Sequence, residues 1–348
     1  MKKIIYLFIV FVGVMLSVHA QDANFSQFYN NPVYYNPGMI ALNNGYSFKA
    51  QARSLWTPIP GKFNTFSASF EGQIIPKLSI AANVFTDGAG EAALRTTGGY
   101  LTYAYRPVEN KKFMLQVGLN AGIVNKSIDW SKLRFSDNYH ELYGEVGTSQ
   151  FIAPNYRNTN FVDFGTGIIA RFNHTAKRTS AYKKMMYMFG FSVMHLTKPK
   201  DGLILGGVLP MKFVGTFQVA ILLNDLVVNP TIIYETQNKF QTATIGLLLM
   251  KNSLLFGAWY RNEGVYYRVN HFDSFILAFG VNLKIKDESK LKIMYSADFT
   301  ISQLRSSSFA SHEISVIYNL DDRYMFQSYR AKRSRSKYFR CPKEFSGL

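Results

Sequence analysis

The chain has one cysteine, Cys341, so no intramolecular disulfide can hold it together. After residue 20 it has no long apolar run, which excludes a bundle of membrane-spanning helices. Acidic side chains are scarce, 22 against 39 basic ones, for a formal charge of +17. The six histidines, His19, His140, His174, His195, His271 and His312, show no zinc-ligand spacing with cysteine, aspartate or one another. His312-Glu313 lacks the second histidine of HExxH, and GxSxG, a P-loop and CxxC are all missing. His195 and Asp201 are near enough in sequence to meet on a loop, but their spacing carries no specific signal. No enzyme, no metal and no cofactor is expected.

What is present begins with an export signal. Lys2 and Lys3 precede an apolar run from Ile4 to Leu16, and Val18 and Ala20 supply the small residues before Gln21. That run is too short to span a bilayer, so residues 1–20 read as a cleaved signal peptide. Aromatics then make up 16% of the chain, with 29 Phe and 22 Tyr. So large a share must be buried, or spread over a lipid-facing band and its interfacial girdles.

Alternation favours the second arrangement. Leu291, Ile293, Tyr295, Ala297, Phe299 and Ile301 form one face of a strand, and Lys290, Lys292, Met294, Ser296, Asp298 and Thr300 form the other. Tyr46, Phe48, Ala50 and Ala52 alternate in the same way with Ser47, Lys49, Gln51 and Arg53. So do Leu101, Tyr103 and Tyr105 with Thr102, Ala104 and Arg106. Such ribbons predict about fourteen antiparallel strands within residues 46–319, among them 98–106, 113–124 and 160–172. Short connections such as Leu223–Asp225 and Lys251–Asn252 alternate with long ones such as Asn125–Thr159 and His195–Pro210. An outer-membrane barrel keeps its short turns in the periplasm, so both chain ends are expected there. The fold class is all-β, a transmembrane outer-membrane β-barrel. Tyr295 is expected to face lipid, Lys292 and Asp298 the lumen, and a lysine at position 296 is expected to be tolerated.

Two segments fall outside the strands. Residues 21–45 alternate poorly, carry the turn signals Asn36-Pro37-Gly38 and Asn43-Asn44-Gly45, and include Phe25, Phe28, Tyr29, Tyr34 and Tyr35. Those rings need cover, which suggests a plug in the lumen or a fold against the periplasmic mouth. Residues 320–348 form a periplasmic tail, and from Arg330 to Leu348 its Arg330, Lys332, Arg333, Arg335, Lys337, Arg340 and Lys343 face a single acid, Glu344. In an exported chain such a basic arm suits anionic lipid or an acidic protein surface, and no nucleic acid is expected. Residues 125–159 form a loop with Trp130, Phe135, Tyr139 and Tyr143, long enough for an external binding surface.

Several spaced blocks resemble one known family. QDANFSQFYNNPVYYNPGMIA at residues 21–41, with Asn36 and Pro37, looks like the opening segment of the PorP/SprF proteins, with Gly38 where alanine is usual. RSLWTPIPGKFNTFSASF, with Arg53 and Trp56, is similar to a second block, and MYMFGFSVMHLTKP, with His195, to a third. YSADFTISQLRSSSFASHEISV, with Asp298, His312 and Glu313, resembles the family's ending. The resemblance implies an outer-membrane barrel working with the type IX secretion machinery. It also implies partners: the C-terminal sorting domain of a secreted adhesin, of the gliding-motility type, and periplasmic or lipoprotein components of the machine. A FadL-like channel for hydrophobic small molecules is the alternative, because those barrels also have fourteen strands and an Asn-Pro-Ala turn in an N-terminal hatch.

Overall fold

The computed structural model describes residues 22–321 apart from 43–44, 58–60, 62, 76, 91–93, 111, 134–135, 141, 143, 146–157, 176–183, 202–206, 264–271, 287–288 and 302–309. The signal-peptide residues 1–20, Phe135, Tyr143 and the basic tail with Arg330, Lys332, Arg333, Arg335, Lys337 and Arg340 lie outside the described residues.

Fourteen strands close a single barrel. They are β1 (Gly45–Leu55), β2 (Phe63–Ile75), β3 (Leu78–Ala89), β4 (Leu94–Glu109), β5 (Phe113–Ile128), β6 (Asn158–Thr175) and β7 (Lys184–Met194). There follow β8 (Lys212–Leu223), β9 (Leu226–Gln237), β10 (Phe240–Lys251), β11 (Leu254–Glu263), β12 (Phe272–Lys286), β13 (Ser289–Thr300) and β14 (Ser311–Asp321). Every pairing is antiparallel between sequence neighbours, and β14 closes on β1 with Gly45 opposite Asp321 and Ser54 opposite His312. A closed ladder satisfies each strand's backbone within the sheet and leaves no edge, which is what a lipid environment demands. It also holds the chain together without a disulfide. The turns Asn224-Asp225 and Asn252-Ser253 lie at the rim where β1 begins and β14 ends, here called the near rim.

Side-chain alternation follows the pleat. Leu101 is 72% exposed and Tyr103 and Tyr105 are also open, while Thr102, Ala104 and Arg106 are buried in the lumen. On β13, Tyr295 and Phe299 face outward, and Lys292 and Asp298 are buried inside. The outward faces thus form an apolar belt of Phe, Tyr, Leu, Ile and Val. Replacing Tyr295 by lysine in that belt should cost on the order of 2–4 kcal/mol near the bilayer midplane. Urea unfolding of the protein in lipid vesicles reads this directly, and an unchanged midpoint would contradict a lipid-facing Tyr295.

Three strands exceed the lengths that alternation predicts by the widest margin. β4 starts at Leu94 instead of 98 and ends at Glu109, β5 continues to Ile128, and β6 spans Asn158–Thr175. In the added stretch Asn125, Lys126 and Ser127 pair with Asn160, Thr159 and Asn158. Polar side chains on both faces erase the period-two signal, but the backbone ladder does not depend on it. The connection between β5 and β6 shrinks accordingly to residues 129–157, in which Trp130–Lys132 form a 3₁₀ turn with Trp130 half-buried and Ser131 and Lys132 exposed, and Tyr139–His140 pair with Gly144–Glu145.

Candidate functional site

Residues 22–42 run inside the barrel. Poor alternation and three prolines or glycines keep them out of the sheet, and they fold as short turns instead: 3₁₀ at Phe28–Asn30, α at Pro32–Tyr35 and 3₁₀ at Pro37–Met39. Their apolar side chains pack on luminal ones. Phe25, Phe28 and Tyr35 join a buried cluster with Trp259, Leu248, Ile276 and Met294. Tyr29 stacks on the Trp259 indole at 4.7 Å between ring centroids, and Phe28 meets the same indole edge-on at 6.4 Å.

The polar contacts form three groups. The first gathers Arg53 of β1, Arg261 of β11, Asp298 of β13 and Glu313 of β14, all buried, around Ser26 and Gln27. The Glu313 carboxylate accepts from the Ser26 amide at 2.7 Å and from the Gln27 amide at 3.0 Å. Gln27 Nε2 donates to Ser296 Oγ and to the Glu313 carbonyl, both at 3.0 Å. Asp298 receives Arg53 at 3.1 Å and Arg261 at 3.3 Å, and the Ser26 hydroxyl also bonds to it. Two guanidinium groups and two carboxylates therefore balance in charge while tying the segment to the wall. This arrangement overturns the expected tolerance at position 296. Ser296 is fully buried against Gln27, so a lysine there meets the segment instead of water. Alternation identifies a face and says nothing of what fills it.

Removing one member of such a buried group leaves the others desolvated and unpaired. Glu313→Ala strips the Ser26 and Gln27 amides of their acceptor and Arg53 of a carboxylate 3.8 Å away. A loss of about 3–5 kcal/mol is expected, typical of breaking a buried ion pair. The urea midpoint in detergent measures it.

The second group lies at the same end of the strands as the first, away from the near rim, where β7 ends and β6 begins. His195 directly follows β7 with a left-handed φ of 58°, which turns the chain off the sheet. Its Nδ1 lies 2.8 Å from Asp163 of β6 and its Nε2 lies 2.8 Å from Asp22. Tyr100 Oη donates to the same Asp163 oxygen at 2.8 Å. Because each ring nitrogen faces a carboxylate, both hydrogen bonds form only when the ring is protonated. Burial works against that charge, but Asp22 and Asp163 outweigh it and raise the imidazole from 6.5 to about 10. Burial likewise opposes ionisation of Asp22, yet His195 and Lys212 beside it hold its carboxyl well below the usual range. Asp201, the neighbour expected from sequence spacing, instead pairs with Lys126 at 2.8 Å. The two carboxylates grip opposite sides of the ring and do not converge, and no group able to hold a metal ion is found among the described residues.

A pH dependence follows. The folded imidazole titrates above its unfolded value of 6.5, so its contribution is complete below about pH 6.5 and is lost as pH rises through about 10. A nitroxide label at Ala23 should therefore be immobile at neutral pH and gain mobility between about pH 8 and 11. With His195→Gln it should be mobile throughout. A label equally immobile at both ends of that range would remove the ion pair from the account.

The third group holds Asn36-Pro37-Gly38. The Asn36 side chain accepts from the Gly38 amide at 2.8 Å and donates to the carbonyls of Phe191 at 3.3 Å and Ile168 at 3.4 Å. Wall glycines make this approach possible. A Cβ on Gly118 would lie 2.2 Å from the Pro37 carbonyl oxygen, and one on Gly167 would lie 2.0 Å from Asn36 Oδ1. Ser192 Oγ donates to the Tyr35 carbonyl at 2.6 Å, and Gln116 Nε2 to those of Gly38 and Ile40, each at 2.8 Å.

The other motif residues stand at the wall. Trp56 ends β1 with a φ of 54°, donates its amide to Ser311 Oγ at 3.2 Å and packs edge-on against Phe63. His312 lies on the outer face, where its Nδ1 is 2.6 Å from Tyr295 Oη. Thus Asn36, Pro37, Arg53, His195, Asp298 and Glu313 meet in the lumen, whereas Trp56 and His312 do not contact the segment. Sequence reasoning missed Asp22, Gln27, Asp163, Trp259, Arg261 and the two glycines. A lone acid within FVDFGTGIIA was the one available signal, at Asp163.

No curated protein matches the chain. Among solved structures it is similar to the toluene transporter TodX of P. putida, with 11% identity over 85% of this chain and 95% of that one and a TM-score of 0.46. It is also similar to a FadL homologue of Pseudomonas aeruginosa, with 10% identity over 84% and 94% and a TM-score of 0.43. The Ralstonia pickettii toluene transporter TbuX gives 10%, 84% and 93%, with a TM-score of 0.42. The family described as type IX secretion system membrane protein PorP/SprF matches residues 17–318, most of the chain. A closed, lipid-belted barrel of fourteen strands and a family match of that extent lead to one conclusion: this outer-membrane protein belongs to the PorP/SprF family of the type IX secretion system.

Proposed function

We propose that the protein is a docking and anchoring component of the type IX machinery. It is exported through the leader at residues 1–20, and its barrel holds a secreted adhesin at the cell surface. Family membership over residues 17–318 carries this reading. The C-terminal sorting domain of the adhesin binds at the loop side, with Trp130, Phe135, Tyr139 and Tyr143 as contact residues. The basic tail from Arg330 to Arg340 engages an acidic periplasmic or lipoprotein component at the near rim, which faces the periplasm.

The state of the lumen supports docking over passage. Residues 22–42 cross it and are fixed by ion pairs, hydrogen bonds and stacked rings, so they act as a plug. A channel for hydrophobic molecules needs a continuous apolar track, and the inner wall carries Gln51, Arg53, Arg261, Lys292 and Asp298 instead. Capture of the full chain from detergent-solubilised outer membranes tests the reading. A large exported protein with a C-terminal sorting domain, together with periplasmic machinery, is expected among the captured proteins. Recovery of the barrel alone, after mild cross-linking of intact cells, would contradict it.

A further inference from the structure

Residues 22–42 have a direction as well as a place. Strand β6 runs from the loop side at Asn158 to the near rim at Thr175, and it meets the segment in chain order. Its Asp163 holds His195, which in turn holds Asp22 at 2.8 Å. Further along, the Ile168 carbonyl accepts from Asn36, and Arg171 donates to the Leu42 carbonyl at 3.3 Å. The path from Asp163 to Arg171 covers about 26 Å of strand at about 3.3 Å per residue. Shortly after Leu42, β1 starts at the near rim with Gly45. The segment thus crosses the lumen from the loop-side mouth to the near rim.

Its amino end lies at the loop-side mouth. The Asp22 amide donates to Gln237 Oε1 at 3.3 Å, and Gln237 is the last residue of β9, which starts beside the near-rim turn Asn224-Asp225. That amide carries the bond to residue 21, whose Cα stands only about 3.8 Å from that of Asp22. Asp22, Ala23 and Asn24 are half-buried, whereas Phe25, Ser26 and Gln27 are buried, so cover falls away towards the terminus. With the leader removed after Ala20, Gln21 alone precedes Asp22 and is too short to lead back to the near rim. An even strand count returns the amino end to the near rim only if nothing crosses the lumen before β1, and this segment does.

We propose that the mature amino terminus is presented at the outer face of the membrane, opposite the basic tail, and that hydrolysis of the bond between Ala20 and Gln21 therefore precedes plugging of the barrel. Water adds across that amide: the leader leaves with Ala20 as a carboxylate, and Gln21 keeps the new ammonium group. A leader still held in the inner membrane fixes residue 21 on the periplasmic side, where the crossing cannot be completed. The inference rests on the near rim facing the periplasm and stands apart from the docking reading.

An epitope inserted between Gln21 and Asp22, and in a second strain after Leu348, tests it on whole cells carrying the full chain. Antibody should reach the first epitope on intact cells as well as on permeabilised ones, and the second only after permeabilisation. Both epitopes hidden until permeabilisation would overturn the proposal. A hidden amino-end epitope with an exposed carboxyl-end one would show the barrel inverted, which overturns the near-rim assignment and the outward placement with it. Ala23→Cys in a Cys341→Ser chain reads the same placement without an insertion. A membrane-impermeant maleimide should reach it in intact cells, and reaction only after permeabilisation would equally overturn the proposal. Ala20→Tyr in the first strain removes the small residue that cleavage needs, so the leader should stay and the epitope should be hidden on intact cells. An exposed epitope with the leader still attached would overturn the order of the two steps.

Discussion

Deleting residues 22–42 should turn a closed barrel into an ion-conducting pore. The segment is the main occupant of the lumen among the described residues, and it is fixed at both ends, by His195 and Asp163 through Asp22 and by Gln116 through Gly38 and Ile40. Its loss should not unfold the wall. Fourteen antiparallel pairings close the sheet through backbone bonds that the segment does not share. Arg53, Arg261, Asp298 and Glu313, stripped of Ser26 and Gln27, would be solvated by water filling the lumen, and their charges still balance. The deletion variant should therefore insert, retain its strand content by circular dichroism and pass current in a planar bilayer where the intact protein does not. A folded deletion variant that stays silent would show that something other than this segment closes the pore. Replacing Gly167 by leucine offers a milder version, because its side chain would occupy the position of Asn36.

The barrel was largely legible in the sequence. Period-two alternation around Tyr295 and Leu101 assigned both faces, and those faces are the ones observed. It underran β4, β5 and β6 because Asn125, Lys126, Asn158 and Asn160 are polar on both faces, where strand pairing continues beyond the reach of lipid. The interior was far less legible. Ser26 and Glu313 meet across 287 residues, and Asp22 and His195 across 173. No local propensity encodes such pairs. They arise because barrel closure brings β14 against β1, and because buried charges must find partners wherever the chain places them. Glycines at 118 and 167 read in sequence as weak strand residues. Only the approach of Pro37 and Asn36 explains them.

The basic tail carries the second large effect. β14 ends at the near rim with Asp321, so the chain leaves the barrel on the side assigned to the periplasm. Arg333, Arg335, Lys337 and Arg340 follow with no acid among them. Attraction of such a run to an acidic partner speeds encounter and weakens with salt. Exchanging all four for glutamate reverses the sign of that attraction.

Surface display of the cognate adhesin, counted on intact cells that carry this fourfold exchange as their only copy of the protein, tests the docking role most directly. With the barrel present in the outer membrane at its normal level, the account predicts that display is lost and that capture of the periplasmic partner is lost with it. Display at the level of the unaltered protein would contradict a docking role for the tail.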